Sequence, residues 1–252
     1  SDGDLLHFKY YDASEDAILD ISETYTFATN DVVGDWFDPW ELHIQTEVEL
    51  SIDLIGGWNW ISFNVDVEDN SLDNVLSSVS DLATSIVSQS SGYAQNYGEY
   101  GWFGGLSDFG LEPTQMYLLD MSAPSTLTIT GVPVDVASTS ISLIAGWNWI
   151  GYLPQNSGDV NTALASVSDL ATSIVSQSDG YAQNYGEYGW FGGLSDIGLH
   201  PGNGYLLDMS AGGELTYPEF EGLSRTFETK KDIILTDKIS DWDFHYGDYQ
   251  YI

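Results

Sequence analysis

The sequence predicts a β-rich α+β protein, with two tandem small repeat domains that each carry one helix on an antiparallel sheet, flanked by pieces of a β-sandwich-like domain. Three observations lead to this fold class. A long stretch occurs twice, short aromatic and β-branched runs alternate with glycine-rich turns, and each copy holds a single stretch of helical periodicity. Hydrophobic residues make up 42% of the chain, which is enough apolar material for a core.

The chain contains an internal repeat. Residues from Ser51 read SIDLIGGWNWISFNV, and residues from Ser140 read SISLIAGWNWIGYLP. Further on, the segment Ser78 to Asp108 recurs from Ser166 to Asp196 with one substitution. Each copy has the size of a small domain, too long for a solenoid repeat. We assign repeat 1 to residues 51–131 and repeat 2 to residues 140–217.

Each repeat is expected to alternate strands with one helix. Apolar residues from Leu72 to Leu82 recur at helical spacing, and Ser71 or Asn70 is the expected N-cap, with Asp159 in the copy. Glycine at position 98 favours a hairpin turn between two aromatic strands. The predicted strands are Trp58 to Val65, Ser85 to Ser88, Tyr93 to Tyr97, Tyr100 to Gly104, Thr126 to Thr130, Gly204 to Met209 and Glu214 to Tyr217.

The aromatic residues of the two hairpins form the most conspicuous cluster. Two interpretations are open, because aromatic side chains fill small cores and also form exposed platforms on which sugar rings stack. The tryptophans of the two GWNW segments are expected in the core, with one ring at an interface between units. The candidate carbohydrate-binding residues are Tyr93, Tyr97, Trp102, Tyr181, Tyr185 and Trp190.

Residues 1–48 differ from the repeats and are expected to be the C-terminal part of a β domain, with strands at Leu5 to Tyr11, Ala17 to Ile21, Thr24 to Phe27 and Trp40 to Ile44. Part of this segment follows the spacing of a calcium-binding loop, although its sixth position is Ala17 and not glycine. A solvated acidic hairpin is the alternative to a Ca²⁺ site. The candidate ligands are Asp12, Ser14, Asp16, Asp20 and Glu23.

Residues 218–252 are expected to form a linker or exposed arm that ends in a strand. This strand has no partner nearby in the sequence, so we expect it to complete the β domain of residues 1–48 in a neighbouring copy, which would build an open filament. Pairing with residues 1–48 of the same chain, or of a longer parent chain, stays open. The side chains of this assembly strand are Trp242, Phe244, Tyr246, Tyr249 and Tyr251.

The charge excludes two classes of partner. Five Lys and Arg face 39 Asp and Glu, for a formal charge of −34, and none of the five lies between Tyr10 and Ser224. Such a surface repels nucleic acid and anionic lipid. There is no cysteine, and no apolar run reaches the ~18 residues of a membrane span. Since the histidines (His7, His43, His200, His245) do not recur between repeats, we expect no enzyme and no cofactor other than Ca²⁺.

The segments GWNWISFNV, GWNWIGYLP, SIVSQSSGYAQNYGEYGWFGGL and PGNGYLLDM resemble repeat modules of very large secreted surface proteins of marine and Bacteroidetes-type bacteria. The resemblance covers both repeats, about two-thirds of the chain. It implies a secreted or cell-surface scaffold or adhesin whose partners are copies of itself or adjacent modules. A carbohydrate-binding module and a calcium-stabilised spacer of a giant adhesin are the alternatives.

Overall fold

A computed structural model describes residues 2–220 except residues 15, 36, 38 and 45. The N-terminal segment forms an antiparallel hairpin of β1 (Leu5–Asp12) and β2 (Ala17–Thr26). The two short strands predicted between Ala17 and Phe27 are thus one continuous strand. The strand predicted from Trp40 to Ile44 is wrong, since this stretch contributes a single β-bridge between Ile44 and Ile21. Trp40 packs edge-on against Phe8, with ring centroids 5.4 Å apart.

Repeat 1 folds into a five-stranded antiparallel sheet and a smaller three-stranded one, so the β-rich class is confirmed. Its elements are β3 (Val48–Leu54), β4 (Gly57–Ile61), β5 (Val65–Asp66), α1 (Leu72–Val75), β6 (Ala83–Ser88), β7 (Tyr93–Asn96), β8 (Trp102–Phe103), β9 (Tyr117–Met121) and β10 (Ser125–Pro133). The larger sheet has the order β4-β9-β6-β7-β8, and the smaller has the order β3-β10-β5. The first strand begins at Val48, a little before the predicted start of the repeat at residue 51.

Repeat 2 has a five-stranded sheet of the same connectivity, with a two-stranded sheet beside it. Its elements are β11 (Ser140–Leu143), β12 (Gly146–Ile150), α2 (Val160–Ala163), β13 (Ala171–Ser176), β14 (Tyr181–Asn184), β15 (Trp190–Phe191), α3 (Gly193–Ile197), β16 (Tyr205–Met209) and β17 (Gly213–Thr216). The order β12-β16-β13-β14-β15 corresponds strand by strand to that of repeat 1.

The helix is shorter than its periodicity predicts. In repeat 1, α1 ends at Val75 and a 3-10 turn, Ser77–Val79, follows. Serine and β-branched residues are weak helix formers, so the α-helix ends soon after its apolar side chains have packed into the core. The predicted N-caps are confirmed: the Ser71 hydroxyl accepts a hydrogen bond from the Asn74 backbone N–H, and the Asp159 carboxylate accepts one from Thr162 at 3.0 Å.

Each repeat has its own hydrophobic core. The helix and both sheets of repeat 1 contribute to the first, in which Leu76, Ile86 and Leu119 are fully buried. The second core is equivalent, and it also takes in Val134 and Val136 from the connection between the repeats. Residues up to Phe220 belong to one compact unit.

The asparagine of the GWNW segment is the buried residue that fixes the start of each large sheet. Asn59 lies in the middle of β4, where its side-chain oxygen accepts a hydrogen bond from the Ile55 N–H at 2.9 Å. Its amide nitrogen donates to the carbonyl oxygens of Ile55, Gly57 and Leu119 at 3.0, 2.8 and 3.3 Å. Asn148 makes the same contacts in repeat 2. The side chain therefore ties the β3–β4 connection to the sheet.

The neighbouring tryptophans do not lie in the core as predicted. A strand sends successive side chains to opposite faces, so the burial of Asn59 places Trp58 and Trp60 on the other face. Trp58 is 46% exposed and its equivalent Trp147 is 47% exposed. What these segments contribute to the contact between repeats is their backbone, as described below.

Candidate binding surfaces

An exposed aromatic face lies on the β7–β8 hairpin of repeat 1 and recurs on the β14–β15 hairpin of repeat 2. We define it by Tyr93, Tyr97, Tyr100 and Phe103, and in the copy by Tyr181, Tyr185, Tyr188 and Phe191. The four residues of repeat 1 are 58, 59, 72 and 56% exposed, and their equivalents are 58, 59, 74 and 56% exposed. Large apolar side chains thus remain exposed to water at matching positions in both copies.

The glycine-rich turn explains why these rings point outward. Tyr97 N–H donates to the Gly101 carbonyl at 2.9 Å, which closes a tight loop around the 3-10 turn Gly98–Tyr100. Gly98 has φ +64°, a conformation that glycine adopts without steric cost. Gly104 has φ +146°, and a Cβ atom there would lie 2.2 Å from the Tyr93 carbonyl oxygen. The backbone therefore packs closely at Gly104, which leaves no room for a side chain there. The exposed aromatic side chains of the hairpin lie on its outer face.

The rings are arranged as a shallow surface and not as a deep pocket. Tyr97 and Phe103 meet edge to face, with centroids 5.7 Å apart and planes at 76°. In repeat 2 the corresponding values for Tyr185 and Phe191 are 5.8 Å and 75°. Tyr185, Tyr188 and Phe191 line one open depression. Such a surface is suited to contact the flat side of an extended ligand.

Four of the six residues predicted to bind carbohydrate lie on these faces, namely Tyr93, Tyr97, Tyr181 and Tyr185. The prediction is wrong for Trp102 and Trp190, which are 6 and 5% exposed and belong to the two cores. Sequence reasoning missed Tyr100, Phe103, Tyr188 and Phe191 as surface residues. Strand alternation carried the available signal: adjacent residues of β8 face opposite ways, so the burial of the tryptophan places the phenylalanine outside.

The predicted calcium-binding residues do not form one loop. Asp12 is the last residue of β1 and pairs with Ala17, whereas Glu23 lies six residues farther along β2, roughly 20 Å away at the rise of a strand. Asp12 accepts hydrogen bonds from the Ser14 N–H and hydroxyl at 2.8 and 2.6 Å, as in a local turn. Asp16, in the same turn, accepts one from the Tyr11 hydroxyl at 2.6 Å. Asp20 follows in β2, opposite Lys9.

The hairpin thus separates residues that a calcium-binding loop would bring together, so the five predicted ligands do not lie in one loop. Within the described residues, no grouping of three or more His, Asp or Glu side chains is arranged to hold a metal ion.

Glu23 has a different partner. Its carboxylate accepts hydrogen bonds from the His43 backbone N–H at 2.8 Å and from His43 Nδ1 at 2.6 Å. Burial raises the pKa of Glu23, but the His43 hydrogen bonds outweigh it and hold the pKa at about 2. The same contact raises the pKa of the His43 imidazole. This ion pair fastens the segment after β2 to the hairpin.

An acidic cleft of about 260 Å³ lies on repeat 1. Phe63 and Leu111 contribute apolar walls, and Asp66, Glu68 and Glu112 contribute carboxylates. Burial raises the pKa of Asp66. In repeat 2 the equivalent region is covered, because the Phe220 ring packs against Gly158, the counterpart of Asn70 in the cleft wall.

The free edges of the two large sheets are covered by the opposite repeat. Strand β4 lies at the edge of its sheet, so one row of its backbone groups has no strand partner. Gln177 of repeat 2 accepts a hydrogen bond from the Trp60 N–H and donates one to the Trp58 carbonyl, both at 2.6 Å. Gly204 N–H donates to the Trp60 carbonyl at 3.1 Å. Repeat 2 thus satisfies the exposed edge of repeat 1.

The equivalent residues return the same contacts. Gln89 of repeat 1 accepts a hydrogen bond from the Trp149 N–H and donates one to the Trp147 carbonyl, both at 2.7 Å. Met116 N–H is directed at the Trp149 carbonyl at 3.4 Å. An interface in which equivalent residues exchange identical contacts has the character of a two-fold axis, and such an interface is closed.

We call this set of contacts the pairing surface. It comprises strands β4 and β12, the residues Ser62, Gln89, Gly151 and Gln177, and the turns 113–116 and 201–204. Sequence reasoning did not find it, although it expected an interface between units near the tryptophans. The one signal in the sequence was that the same glutamine follows the same strand in both copies.

The predicted assembly strand, with Trp242, Phe244, Tyr246, Tyr249 and Tyr251, lies outside the described residues, as does most of the predicted arm. No helix in the part of the chain that the structure describes is long and apolar enough to cross a membrane. Comparison of the chain with protein-family models, with curated proteins and with solved structures finds no match. The resemblance to secreted surface modules therefore stays a prediction.

Proposed function

We propose that the chain is an adhesive repeat protein of the cell exterior, in which each repeat is a structural unit that offers one aromatic face to neutral carbohydrate. The observation that carries the proposal is the duplication of this face with matching exposure of all four rings. A fold needs buried aromatic residues, but it gains nothing from leaving eight of them in water. We attribute the exposure of these rings to a ligand.

The chemistry of the face favours a neutral sugar chain. Tyrosine and phenylalanine rings offer flat apolar surface, and the tyrosine hydroxyl adds a polar group that can hydrogen-bond to a sugar. A formal charge of −34 disfavours anionic ligands such as nucleic acid or acidic lipid. Glu99 and Glu187 lie between the tyrosines of each face and add hydrogen-bond acceptors for sugar hydroxyls.

Two faces on one chain support adhesion by avidity. A polysaccharide repeats its units, so both faces can engage one polymer or one cell surface. Linked sites of this kind raise the overall affinity by about 10²–10⁴ when the geometry permits simultaneous binding. Weak binding at each shallow face is therefore sufficient for firm attachment.

The proposal is tested by binding of the full chain to a glycan array and to insoluble neutral polysaccharides. Tyr97→Ala with Phe103→Ala removes the paired rings of repeat 1, and Tyr185→Ala with Phe191→Ala removes those of repeat 2. We expect each double variant to lose avidity and the fourfold variant to lose binding. Phe37→Ala is the matched control, since Phe37 is an exposed aromatic residue outside both faces. Undiminished binding by the fourfold variant would refute the proposal.

A further inference from the structure

The pairing surface departs from two-fold symmetry at a few positions, and these departures are complementary. Met116 of repeat 1 corresponds to Gly204 of repeat 2, and Ser62 corresponds to Gly151. Met116 and Ser62 each lie against a part of repeat 2 that leaves room for their side chains. Repeat 1 thus has a side chain at each of these positions, where repeat 2 has a glycine.

The contact between Met116 and Gly204 shows the fit most directly. Met116 is fully buried, yet it belongs to neither hydrophobic core. A Cβ atom on Gly204 would lie 2.1 Å from Met116 Cγ and 2.8 Å from Met116 Cβ, far inside contact distance. Any side chain at position 204 therefore collides with the root of the methionine, which cannot swing away as a flexible tip would.

The second contact involves backbone. A Cβ atom on Gly151 would lie 2.0 Å from the Pro113 carbonyl oxygen, which belongs to the turn of repeat 1. At the equivalent position of repeat 1, the Ser62 hydroxyl donates to the Asn203 carbonyl at 2.7 Å and accepts from the Tyr152 N–H at 3.1 Å. The turn opposite Ser62 contains Gly202 at φ +87°, whereas Thr114 stands at this place in the turn opposite Gly151. Each turn thus matches the residue it faces.

We propose that the pairing surface is a specificity device that joins a repeat of type 1 to a repeat of type 2 and rejects two repeats of one type. Two type 1 surfaces would bring methionine against methionine and serine against the Pro113 carbonyl. Two type 2 surfaces would lose the buried Met116 and both hydrogen bonds of the Ser62 hydroxyl. The partner is the complementary repeat, in the same chain or in a second copy that exchanges repeats.

This proposal goes beyond the adhesive function and does not depend on it, because glycan binding and pairing use different residues. It also has a consequence for near-identical repeats. Since the segments 78–108 and 166–196 differ at one position, their cores cannot distinguish the partners. The turn residues and the residue after the GWNWI segment can do so by steric exclusion. Asn64, which corresponds to Leu153 in repeat 2, adds a hydrogen bond from its amide to the Pro154 carbonyl at 2.9 Å.

The first experiment converts the surfaces in the full chain. A like-type variant gives repeat 2 the residues of repeat 1, through Gly151→Ser, Gly202→Thr, Asn203→Gln and Gly204→Met. An exchange variant adds Ser62→Gly, Thr114→Gly, Gln115→Asn and Met116→Gly, so that the two types trade places. Amide hydrogen exchange at Trp60 and Trp149 reports pairing, and exchange at Ile86 and Ile174 reports the integrity of the two cores.

We expect the like-type variant to exchange the Trp60 and Trp149 amides at least about tenfold faster than the native chain. The exchange variant should recover the native protection. If the like-type variant keeps its protection, or if the exchange variant is no better protected than the like-type one, the proposal is overturned. If the like-type variant also loses core protection, recovery of amide protection in the exchange variant still supports the proposal. Gly56→Ala is the control for adding a side chain to a glycine, because a Cβ atom on Gly56 meets nothing closer than 3.7 Å.

A second experiment uses mixing. A type 2 variant is made with Ser62→Gly, Thr114→Gly, Gln115→Asn and Met116→Gly alone, and its native mass is measured before and after addition of the like-type variant. We expect a complex of one chain of each kind on mixing, since type 1 surfaces then meet type 2 surfaces across chains. A mixture that behaves as the sum of its components would contradict the proposal. Failure of glycan binding alone would leave these results unchanged.

Discussion

Gln89 accepts a hydrogen bond from the backbone N–H of Trp149, 60 residues further along the chain, at a distance of 2.7 Å. The same side chain donates to the Trp147 carbonyl, so one amide caps two backbone groups of the open strand edge. Gln177 does the same for the edge of repeat 1. A side-chain amide suits this task because it carries an acceptor and a donor at the spacing of a strand's own hydrogen bonds.

The glutamines predict a first outcome. Gln89→Ala should lower the free energy of unfolding by about 1–2 kcal/mol, since two hydrogen bonds are lost at an edge that water can partly reach. Gln177→Ala should cost a similar amount, and urea unfolding measures both. Gln95→Ala, an exposed glutamine on β7, is the control and should stay within about 0.5 kcal/mol of the native chain. Equal stability of all three variants would argue against a role of the glutamines in joining the repeats.

The buried asparagine predicts a larger effect within one repeat. Asn59→Ala removes the acceptor of the Ile55 N–H and one donor to each of three carbonyl groups, so we expect a loss of about 1–3 kcal/mol in thermal or urea unfolding. Asn148→Ala should behave alike. Asn74→Ala removes an exposed asparagine that donates to the Asp69 carbonyl, and it should be nearly neutral. A neutral Asn59→Ala would show that the β3–β4 connection holds without this side chain.

The buried tyrosines predict instability in alkali. Burial raises the pKa of Tyr117 and Tyr205 to about 12, and it also raises the pKa of Tyr152 and Tyr217. A raised pKa in the folded state means that the unfolded chain releases its protons first. The free energy of unfolding is therefore unaffected by the ionisation of these tyrosines below about pH 10, and it falls as the pH rises toward 12.

Urea unfolding at increasing pH should show this loss, and the last part of the tyrosinate absorbance, which comes from the buried tyrosines, should appear together with unfolding. Tyr205→Phe should make the loss less steep, whereas Tyr93→Phe, on the exposed face, should leave the slope unchanged. Early and complete ionisation of all tyrosines in the folded chain would contradict the prediction.

The Glu23–His43 pair predicts a pH optimum for the N-terminal hairpin. The lowered pKa of Glu23 gives stability that is present above about 4.5 and lost as the pH falls toward 2. The raised pKa of His43 gives stability that is complete below about 6.5 and lost as the pH rises through the folded value. The contact should therefore be firmest between these limits.

Nuclear magnetic resonance titration of the His43 ring measures this directly. Glu23→Gln should move the titration of His43 to lower pH, because the hydrogen-bonded negative charge is lost. Glu41→Gln is the comparison variant and should move the titration less, since its carboxylate lies 3.9 Å from Nε2, is largely exposed and is the smallest contribution to the raised pKa of His43. An unchanged titration in Glu23→Gln would show that the ion pair does not form in solution.

Much of the local structure follows from short stretches of sequence. The hairpin around Gly98, the caps at Ser71 and Asp159, and the strands ending at Met121 and Met209 all depend on residues near one another in the chain. Local steric and hydrogen-bonding preferences are enough to place them. The helix is shorter than its apolar spacing predicts, because that spacing shows only which side faces the core, and a short helix followed by a 3-10 turn preserves it.

The candidate sites were harder to predict, because the alternation of side chains along a strand shows which residues share a face but not which of the two faces is buried. The pattern of the β7–β8 hairpin is satisfied whether Trp102 or Phe103 faces inward, and the core selects the tryptophan. The acidic spacing from Asp12 to Glu23 fits a calcium-binding loop only if the chain turns there as a loop. In a hairpin, the same residues are drawn apart along the strands.

By itself, the sequence determined that this protein is β-rich, contains a duplicated segment and is strongly acidic, because these properties rest on composition and on neighbours along the chain. Only the tertiary structure decided which aromatic rings are exposed, and that Gln89 and Gln177 cross between repeats to cap open strand edges. The reason is that such contacts depend on backbone groups left over after each sheet has formed. No pattern in the sequence identifies which groups those are until the strands have been ordered in space.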